Sequence, residues 1–203
     1  MLVWINGAFG AGKTQTTFEL HRRVPGSHVA DPELIGHALH KMLPPAARLD
    51  YQDRPQWRSA VTRTLIDAVE AHDGPVIVPM TLVNGAYFDE IVGGLRAAGV
   101  DVRHFALIAS PETLRLRLRS RASFLMAKVV GRGENWAMEQ IDRCVTALAT
   151  DKFAVHVDTD DREIDDVVEE IAERAGLELT EPRLPAARYQ LRRLTVGLRH
   201  IRL

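Results

Sequence analysis

The sequence contains one cysteine, no long apolar run and almost no net charge. Cys144 alone cannot form a disulfide within the chain, as is usual in the reducing cytosol, and we expect it to be a small core residue on a helix. No stretch approaches the roughly 18 consecutive apolar residues of a membrane span, and no basic N-terminal segment suggests a signal peptide. A formal charge of −1 over 203 residues gives no reason to expect nucleic acid as a partner. These absences predict a cytoplasmic protein that binds no nucleic acid.

Acidic side chains are missing from the last 21 residues. Residues 183–203 carry six arginines, so the other 182 residues hold 20 basic and 27 acidic side chains. Apolar residues recur at three- and four-residue intervals over 184–203, which predicts a basic amphipathic helix in a C-terminal segment, 181–203. Such a helix either contacts an anionic membrane surface or packs on the domain or on a second subunit. The sequence leaves these alternatives open and does not predict the oligomeric state.

Strand and helix patterns alternate over residues 1–180. Strands are predicted at 2–5, 27–30, 75–80, 100–108 and 153–157. Helices are predicted at 14–23, 32–43, 57–71, 87–98, 110–121, 135–150 and 163–175. This order predicts an α/β domain in which a five-stranded parallel sheet lies between two layers of helices, with right-handed crossovers. Ligands bind such sheets beyond the carboxyl ends of the strands.

A glycine-rich stretch, GAFGAGKT, follows the first predicted strand and precedes a helical pattern. It matches the phosphate-binding loop G-x-x-x-x-G-K-[ST] in the context that this motif requires, which a chance glycine-rich turn would not need to share. Glycines let successive backbone N–H groups converge on one phosphate, and the start of the helix adds its positive end. We expect Lys13 to contact the β- and γ-phosphates of ATP and Thr14 to ligate Mg²⁺. The candidate nucleotide-binding residues are Gly7, Ala8, Phe9, Gly10, Ala11, Gly12, Lys13, Thr14 and Gln15.

Asp31 follows the second predicted strand and therefore lies at the same sheet edge as the phosphate loop. A carboxylate there can orient Mg²⁺ or accept a proton from the hydroxyl that receives a phosphate. The alternative is that Asp31 only caps the helix that begins at Pro32. The third predicted strand ends VPMT, without the acid that many P-loop NTPases carry there. Asp31 is thus the candidate base and metal ligand, and a motor-type ATPase is disfavoured.

Arginines are concentrated after the fourth predicted strand. Arg117 and Arg121 are four residues apart on one helix, so they share a face, from which they can reach the adenine and the transferring phosphate. Arg132 lies in a segment, 122–134, that is predicted to be a lid closing over the phosphates. We predict nucleotide binding for Arg117 and catalytic roles for Arg121 and Arg132. A solvated basic helix face is the alternative.

The phosphate acceptor is expected beside the residues between the second and third strands. Arg54 and Arg58 lie there and are candidates for binding an anionic group of the substrate, although arginines are also common on ordinary surfaces. His37 is expected to be a surface or half-buried histidine. The apolar run ASFLMAKVV, residues 122–130, either packs on its neighbours or offers an apolar wall to an amphiphilic substrate.

Five stretches of the sequence resemble the ATP-binding tunicamycin-resistance proteins of bacteria, which are grouped with the small P-loop kinases. They are WINGAFGAGKTQTTFELHRR, the DPE at residues 31–33, VIVPMTLVN, WAMEQIDRC and the closing LRHIRL. The resemblance implies resistance to tunicamycin, a nucleoside with a fatty-acyl chain, and a C-terminal helix that assists membrane association. By similarity to the kinases, Lys13 would bind phosphate, Thr14 magnesium, and Asp31 would be the base.

Three functions are compatible with these residues. The first is a Mg-ATP-dependent phosphotransferase that acts on a hydroxyl of tunicamycin or a similar nucleoside. The second is an ATP-dependent binding protein that sequesters the drug without modifying it. The third is a housekeeping nucleotide or sugar kinase. Asp31 separates the first two, because only phosphate transfer needs a base near the acceptor hydroxyl.

Overall fold

A computed structural model of the chain describes residues 1–124, 136–185, 187–189, 192 and 196. Its strands are β1 (Leu2–Gly7), β2 (His28–Val29), β3 (Val76–Pro79), β4 (Val102–Ile108) and β5 (His156–Asp158). Its helices include α1 (Lys13–Arg23), α2 (Glu33–Met42), α3 (Pro55–Glu70), α4 (Gly85–Phe88), α5 (Gly94–Ala97), α6 (Pro111–Phe124), α7 (Ile141–Leu148) and α8 (Ile164–Ala175). A π-helical turn, Asp89–Gly93, joins α4 to α5, and 3-10 turns cover Pro45–Ala47, Tyr51–Asp53 and Asp151–Phe153.

The five strands form one parallel sheet in the spatial order β2-β3-β1-β4-β5. The central strand β1 is buried at every position, which requires helices on both faces of the sheet. Helices α1 and α8 pack against each other, and α6 packs against α7. The predicted α/β fold with a five-stranded parallel sheet is therefore confirmed. The order also puts the end of β1, where the phosphate loop begins, at the middle of the carboxyl edge.

The prediction for the fifth strand is wrong by about three residues. Phe153 was expected to begin it, but this residue ends the 3-10 turn Asp151–Phe153, and β5 begins at His156. The Phe153 ring is buried against Phe88, with ring centroids 5.1 Å apart. An apolar residue that is buried from a turn gives the same pattern in the sequence as one that is buried from a strand.

The predicted helix at 87–98 begins earlier than expected. Asn84 caps it, because its side-chain oxygen accepts hydrogen bonds from the N–H groups of Ala86 (2.9 Å) and Tyr87 (3.3 Å). The predicted helix at 135–150 is interrupted by a turn at Gln140, and its first residue lies outside the described part of the chain. Cys144 is fully buried on α7, as predicted, and burial raises the pKa of its thiol.

A buried polar network crosses the core at the central strand. The Nδ2 group of Asn6 lies 3.2 Å from Nε2 of His104, whose Nδ1 lies 3.2 Å from the carbonyl oxygen of Ala154. The carbonyl can only accept, so His104 carries its proton on Nδ1 and accepts the Asn6 hydrogen bond at Nε2. His104 is 4% exposed, and burial lowers its pKa to about 4. The folded protein therefore holds this imidazole in its neutral form.

We expect the buried imidazole to make the fold acid-sensitive. Between its ordinary pKa of 6.5 and its folded pKa of about 4, the unfolded chain binds more protons at this site than the folded chain. The free energy of unfolding then falls as the pH drops through this window, by about 1.4 kcal/mol per pH unit. The free energy of unfolding, measured with urea at neutral pH and at about pH 5, should fall by about 2 kcal/mol more in the wild type than in His104→Gln. Equal losses in the two proteins would contradict this assignment.

The described part of the C-terminal segment packs on α1. The guanidinium of Arg192 donates a hydrogen bond to the carbonyl oxygen of Phe18 (3.1 Å) and lies 3.5 Å from Oε2 of Glu19. Val196 is 7% exposed and lines the same contact as Phe18 and Tyr189. This arrangement corresponds to the predicted alternative in which the segment packs on the domain. None of the helices formed by the described residues is long and apolar enough to cross a bilayer.

Charged groups of α1 are paired with one another and with α8. Glu19 is 3% exposed and accepts a hydrogen bond from Nε of Arg22 (2.9 Å) in addition to its contact with Arg192. Arg23 forms ion pairs with Asp165 (3.1 Å) and Glu169 (3.0 Å) of α8. Because a buried carboxylate is costly without cationic partners, these contacts hold α1 in one position.

We expect the Arg192 contact to hold the C-terminal segment on α1. Replacing Arg192 by Ala removes a hydrogen bond and an ion pair that together contribute about 1 kcal/mol after discounting for partial exposure. Hydrogen exchange over residues 184–203, measured by mass spectrometry, should then be about fivefold faster than in the wild type. The matched control is Arg188→Ala, because Arg188 is exposed. Equal exchange in the two variants would argue against the docking contact.

Candidate active site

Two glycines with left-handed backbones shape the loop between β1 and α1. Gly10 has a φ of +86° and Gly12 a φ of +97°. A Cβ atom on Gly10 would lie 3.1 Å from the carbonyl oxygen of Leu114, and one on Gly12 would lie 3.2 Å from Cδ1 of Ile164. The loop is therefore wedged between α6 and the start of α8, where only glycine fits without strain. Gly12 directly precedes α1, so the positive end of this helix faces the loop.

The ammonium group of Lys13 lies against the loop itself. It donates hydrogen bonds to the carbonyl oxygens of Gly7 (3.0 Å) and Ala8 (2.9 Å) and lies 5.5 Å from the centroid of the Phe9 ring. The side chain is partly buried, so the charge is shared between these carbonyls, the ring face and solvent. A phosphate entering the loop would meet this ammonium group together with the backbone N–H groups.

Two polar residues that the sequence analysis missed join the ends of β1 and β3. Asn6 Oδ1 accepts hydrogen bonds from the N–H groups of Gly7 (2.8 Å) and Leu82 (2.9 Å), and Asn6 Nδ2 donates to the Leu82 carbonyl oxygen (2.8 Å). The hydroxyl of Thr81 donates to the Gly7 carbonyl oxygen (2.9 Å). Asn6 is a polar residue at the end of an otherwise apolar strand, and that contrast could have identified it. In the sequence, Thr81 is notable only as part of the strand end VPMT, which lacks the acid of many P-loop NTPases.

Asp31 lies at the predicted edge, directly after β2 and its continuation. Its Oδ1 accepts a hydrogen bond from the backbone N–H of Glu33 (2.9 Å), which is the capping contact of the structural alternative. One strand, β3, separates β2 from β1, so the two strand ends are about 10 Å apart. Asp31 and the phosphate loop therefore lie on the same edge of the sheet, two strand positions apart. The catalytic and metal-binding roles of Asp31 stay predictions.

Arg117 lies on α6, the helix that packs against Gly10 of the phosphate loop. Its guanidinium donates to the hydroxyl (3.1 Å) and to the carbonyl oxygen of Thr159, which follows β5. Leu118 lies on the same helix, and its Cγ atom would be 3.3 Å from a Cβ atom on Gly10. Helix α6 therefore contacts the loop, and the nucleotide-binding role of Arg117 stays a prediction. The side chain of Arg121, the lid residue Arg132 and most of the predicted lid lie outside the part of the structure that is described.

The two arginines proposed for substrate binding have partners within the protein. Arg58 is 7% exposed, donates to Glu90 Oε2 (2.6 Å) and to the Gln52 carbonyl oxygen (2.6 Å), and lies 4.1 Å from the centroid of the Tyr87 ring. Arg54 donates to the carbonyl oxygen of Ala47, the last residue of the first 3-10 turn. Both side chains therefore hold the segment before α3 in place, and their substrate contacts stay predictions.

Comparison with known proteins agrees with this geometry. A family model described as an AAA domain matches residues 2–129. The tunicamycin resistance protein of Deinococcus radiodurans is 33% identical, with a TM-score of 0.72 over 89% of this chain and 99% of that one. The chain belongs to the tunicamycin-resistance proteins within the P-loop kinase-like family. A search of curated proteins found no match.

Small-molecule kinases share the fold of this tunicamycin-resistance family member at lower identity. A gluconokinase from Sinorhizobium meliloti is 18% identical, with a TM-score of 0.59 over 86% of this chain and 93% of that one. A shikimate kinase from Bacteroides thetaiotaomicron is also 18% identical, with a TM-score of 0.53 over 87% of this chain and 99% of that one. These likenesses establish the fold.

The donor groups of the site fit a nucleotide phosphate and, through it, magnesium. Two left-handed glycines, the N-terminal end of α1 and the ammonium group of Lys13 lie together at this loop. No cluster of three or more His, Cys, Asp or Glu side chains able to hold a metal occurs within the described ranges. Magnesium in P-loop proteins relies on phosphate oxygens, waters and one or two side chains, so no such cluster is needed. Thr14, in the first turn of α1, would supply the hydroxyl ligand.

Proposed function

We propose that this protein is a Mg-ATP-dependent phosphotransferase acting on a hydroxyl of tunicamycin or a similar nucleoside. The observation that carries the proposal is the carboxyl edge itself, where the phosphate loop and Asp31 are separated by one strand. The substrate class is taken from the related tunicamycin resistance protein, and the kinase-like fold supports the reaction class.

Phosphate transfer requires three contributions at this edge. Lys13 leaves the Gly7 and Ala8 carbonyls and binds the β- and γ-phosphates, where its charge offsets that of the leaving ADP. Asp31 accepts the proton of the acceptor hydroxyl. The hydroxyl oxygen bonds to the γ-phosphorus while the bond between this phosphorus and the bridging oxygen of the β-phosphate breaks. Magnesium, held by Thr14 and the phosphates, would neutralise charge on the phosphate oxygens. The products are ADP and the phosphorylated nucleoside.

A second candidate function is sequestration of the drug without chemistry. The observation in its favour is the hydrogen bond from the Glu33 N–H to Asp31, because a carboxylate that caps a helix has a sufficient structural role. In this case ATP binding would stabilise a drug-binding conformation, and the drug would leave unchanged. A housekeeping nucleotide or sugar kinase would instead phosphorylate ordinary nucleosides or sugars.

We expect mass spectrometry of tunicamycin, incubated with the protein and Mg-ATP, to reveal a product heavier by one phosphate. Lys13→Ala should lower the rate at least 100-fold, because the charge that stabilises the transferring phosphate is lost. Asp31→Asn is the sharper variant, since asparagine caps a helix as well as aspartate does but cannot accept the proton. It should keep the fold and lose activity by about 100-fold or more.

Other outcomes assign the other functions. Unchanged drug that remains bound to the protein, with equal binding by the wild type and Asp31→Asn, would establish sequestration. Faster turnover of ordinary nucleosides or sugars than of tunicamycin would indicate a housekeeping kinase. Wild-type resistance in a strain carrying Lys13→Ala would overturn the role of the nucleotide in all three functions.

We further propose that residues 184–203 contact anionic membranes, as the arginine-rich amphipathic pattern suggests. In the described structure Arg192 is engaged by Glu19, so lipid would have to compete with α1 for this guanidinium. Deletion of residues 184–203 should abolish flotation of the protein with anionic vesicles, while neutral vesicles should bind neither form. Equal flotation of the full-length and shortened chains would contradict the membrane contact.

A further inference from the structure

Gln52 lies at the sheet edge between the phosphate loop and Asp31. It belongs to the 3-10 turn Tyr51–Asp53, and its Nε2 donates a hydrogen bond to the Thr81 carbonyl oxygen (2.9 Å). Thr81 follows β3, the strand between β1 and β2, and its hydroxyl is bonded to Gly7 at the start of the loop. A phosphate-accepting substrate that reaches from Asp31 to the loop therefore passes beside the Gln52 side chain.

The backbone of Gln52 is held at both of its polar groups. Its N–H donates to Asp50 Oδ1 (2.9 Å), and its carbonyl oxygen accepts from the Arg58 guanidinium (2.6 Å). Arg58 is in turn held by Glu90. The neighbouring Tyr51 ring fills the space above Gly36, where a Cβ atom would lie only 2.6 Å from it. The turn is thus preorganised, and a ligand that uses it would not have to order it.

The orientation of the Gln52 amide follows from its partner. The Thr81 carbonyl oxygen can only accept a hydrogen bond, so the amide nitrogen must face it and Oε1 must point elsewhere. Across residues 1–124, 136–185 and the described C-terminal positions, Oε1 has no hydrogen-bond partner. The residue is half-buried, and Oε1 is not among the buried unpartnered atoms, so solvent reaches it. The edge therefore presents a fixed hydrogen-bond acceptor.

We infer that Gln52 Oε1 binds the phosphate acceptor by accepting a hydrogen bond from one of its donor groups. This inference rests on the proposed function and defines the substrate class further. The acceptor must carry a donor besides the reacting hydroxyl, such as a second sugar hydroxyl or a nucleobase N–H. Asp31 addresses the reacting hydroxyl, and Gln52 addresses the neighbouring donor, so the two contacts together orient the acceptor toward the loop. Molecules without a donor at this position would leave Oε1 unpaired and bind less well.

The test is the affinity of Gln52→Ala for tunicamycin in the presence of Mg²⁺ and a non-hydrolysable ATP analogue. Loss of one neutral hydrogen bond is expected to weaken drug binding by about three- to tenfold. The affinity for the ATP analogue should stay at the wild-type value, and the melting temperature should fall only by the small amount that loss of the hydrogen bond to Thr81 explains. Gln52→Asn, which keeps the amide but withdraws it by one methylene group, should also weaken binding. Gln56→Ala removes an exposed glutamine from the first turn of α3 and should have no effect.

The outcomes separate this inference from the proposed function. If the wild-type protein binds tunicamycin and Gln52→Ala binds it equally well, the inference is wrong and the proposed function is unaffected. Equal weakening of drug and ATP analogue would also overturn it, because Gln52 would then act only by holding Thr81 and the loop. A wild-type protein that neither binds nor phosphorylates tunicamycin would overturn the proposed function and the inference with it. If the drug is phosphorylated, the inference requires a raised KM for tunicamycin and an unchanged KM for ATP.

Discussion

Two hydrogen bonds converge on the carbonyl oxygen of Gly7, and the rest of the site depends on them. One comes from the ammonium of Lys13 (3.0 Å) and the other from the hydroxyl of Thr81 (2.9 Å). Because a buried carbonyl is costly to leave unpaired, the threonine allows the lysine to change partners without exposing an unsatisfied acceptor. The proposed function, in which Lys13 moves to a phosphate, is therefore compatible with a loop that keeps its shape. The left-handed conformation of Gly10 and Gly12 completes this rigid frame.

The same edge continues from Thr81 toward the acceptor side. Its carbonyl oxygen holds Gln52, and the turn that carries Gln52 is held by buried Arg58. On the other side, α1 is fixed by charged contacts between Glu19 and Arg192, and between Arg23 and α8. The loop is thus supported at both ends by contacts within the protein. The two arginines that the sequence suggests for substrate binding also stabilise this frame, which is consistent with the cost of burying a guanidinium without partners.

Several features could be predicted from the sequence because they are local. The phosphate loop needs glycines, a lysine and a hydroxyl at fixed spacing, so a short stretch specifies it. Alternating strands and helices permit few topologies, and right-handed crossovers select among them, which is why the parallel sheet was predictable. Asn6, Thr81 and Gln52 were not identified, because each acts through a partner distant in the sequence. Phe153 was misplaced because burial from a turn and burial from a strand give the same apolar pattern.

The sequence by itself determined the fold class, the phosphate loop and the sheet edge at which Asp31 lies, since these follow from spacing and periodicity. Only the tertiary structure decided what the polar side chains at that edge contact. It paired Asp31 with the Glu33 N–H, placed Arg117 on Thr159, and engaged Arg58 with Glu90. It also placed Arg192 of the basic segment against Glu19. The physical reason is that a long charged side chain can satisfy its hydrogen bonds in many places, and packing chooses among them.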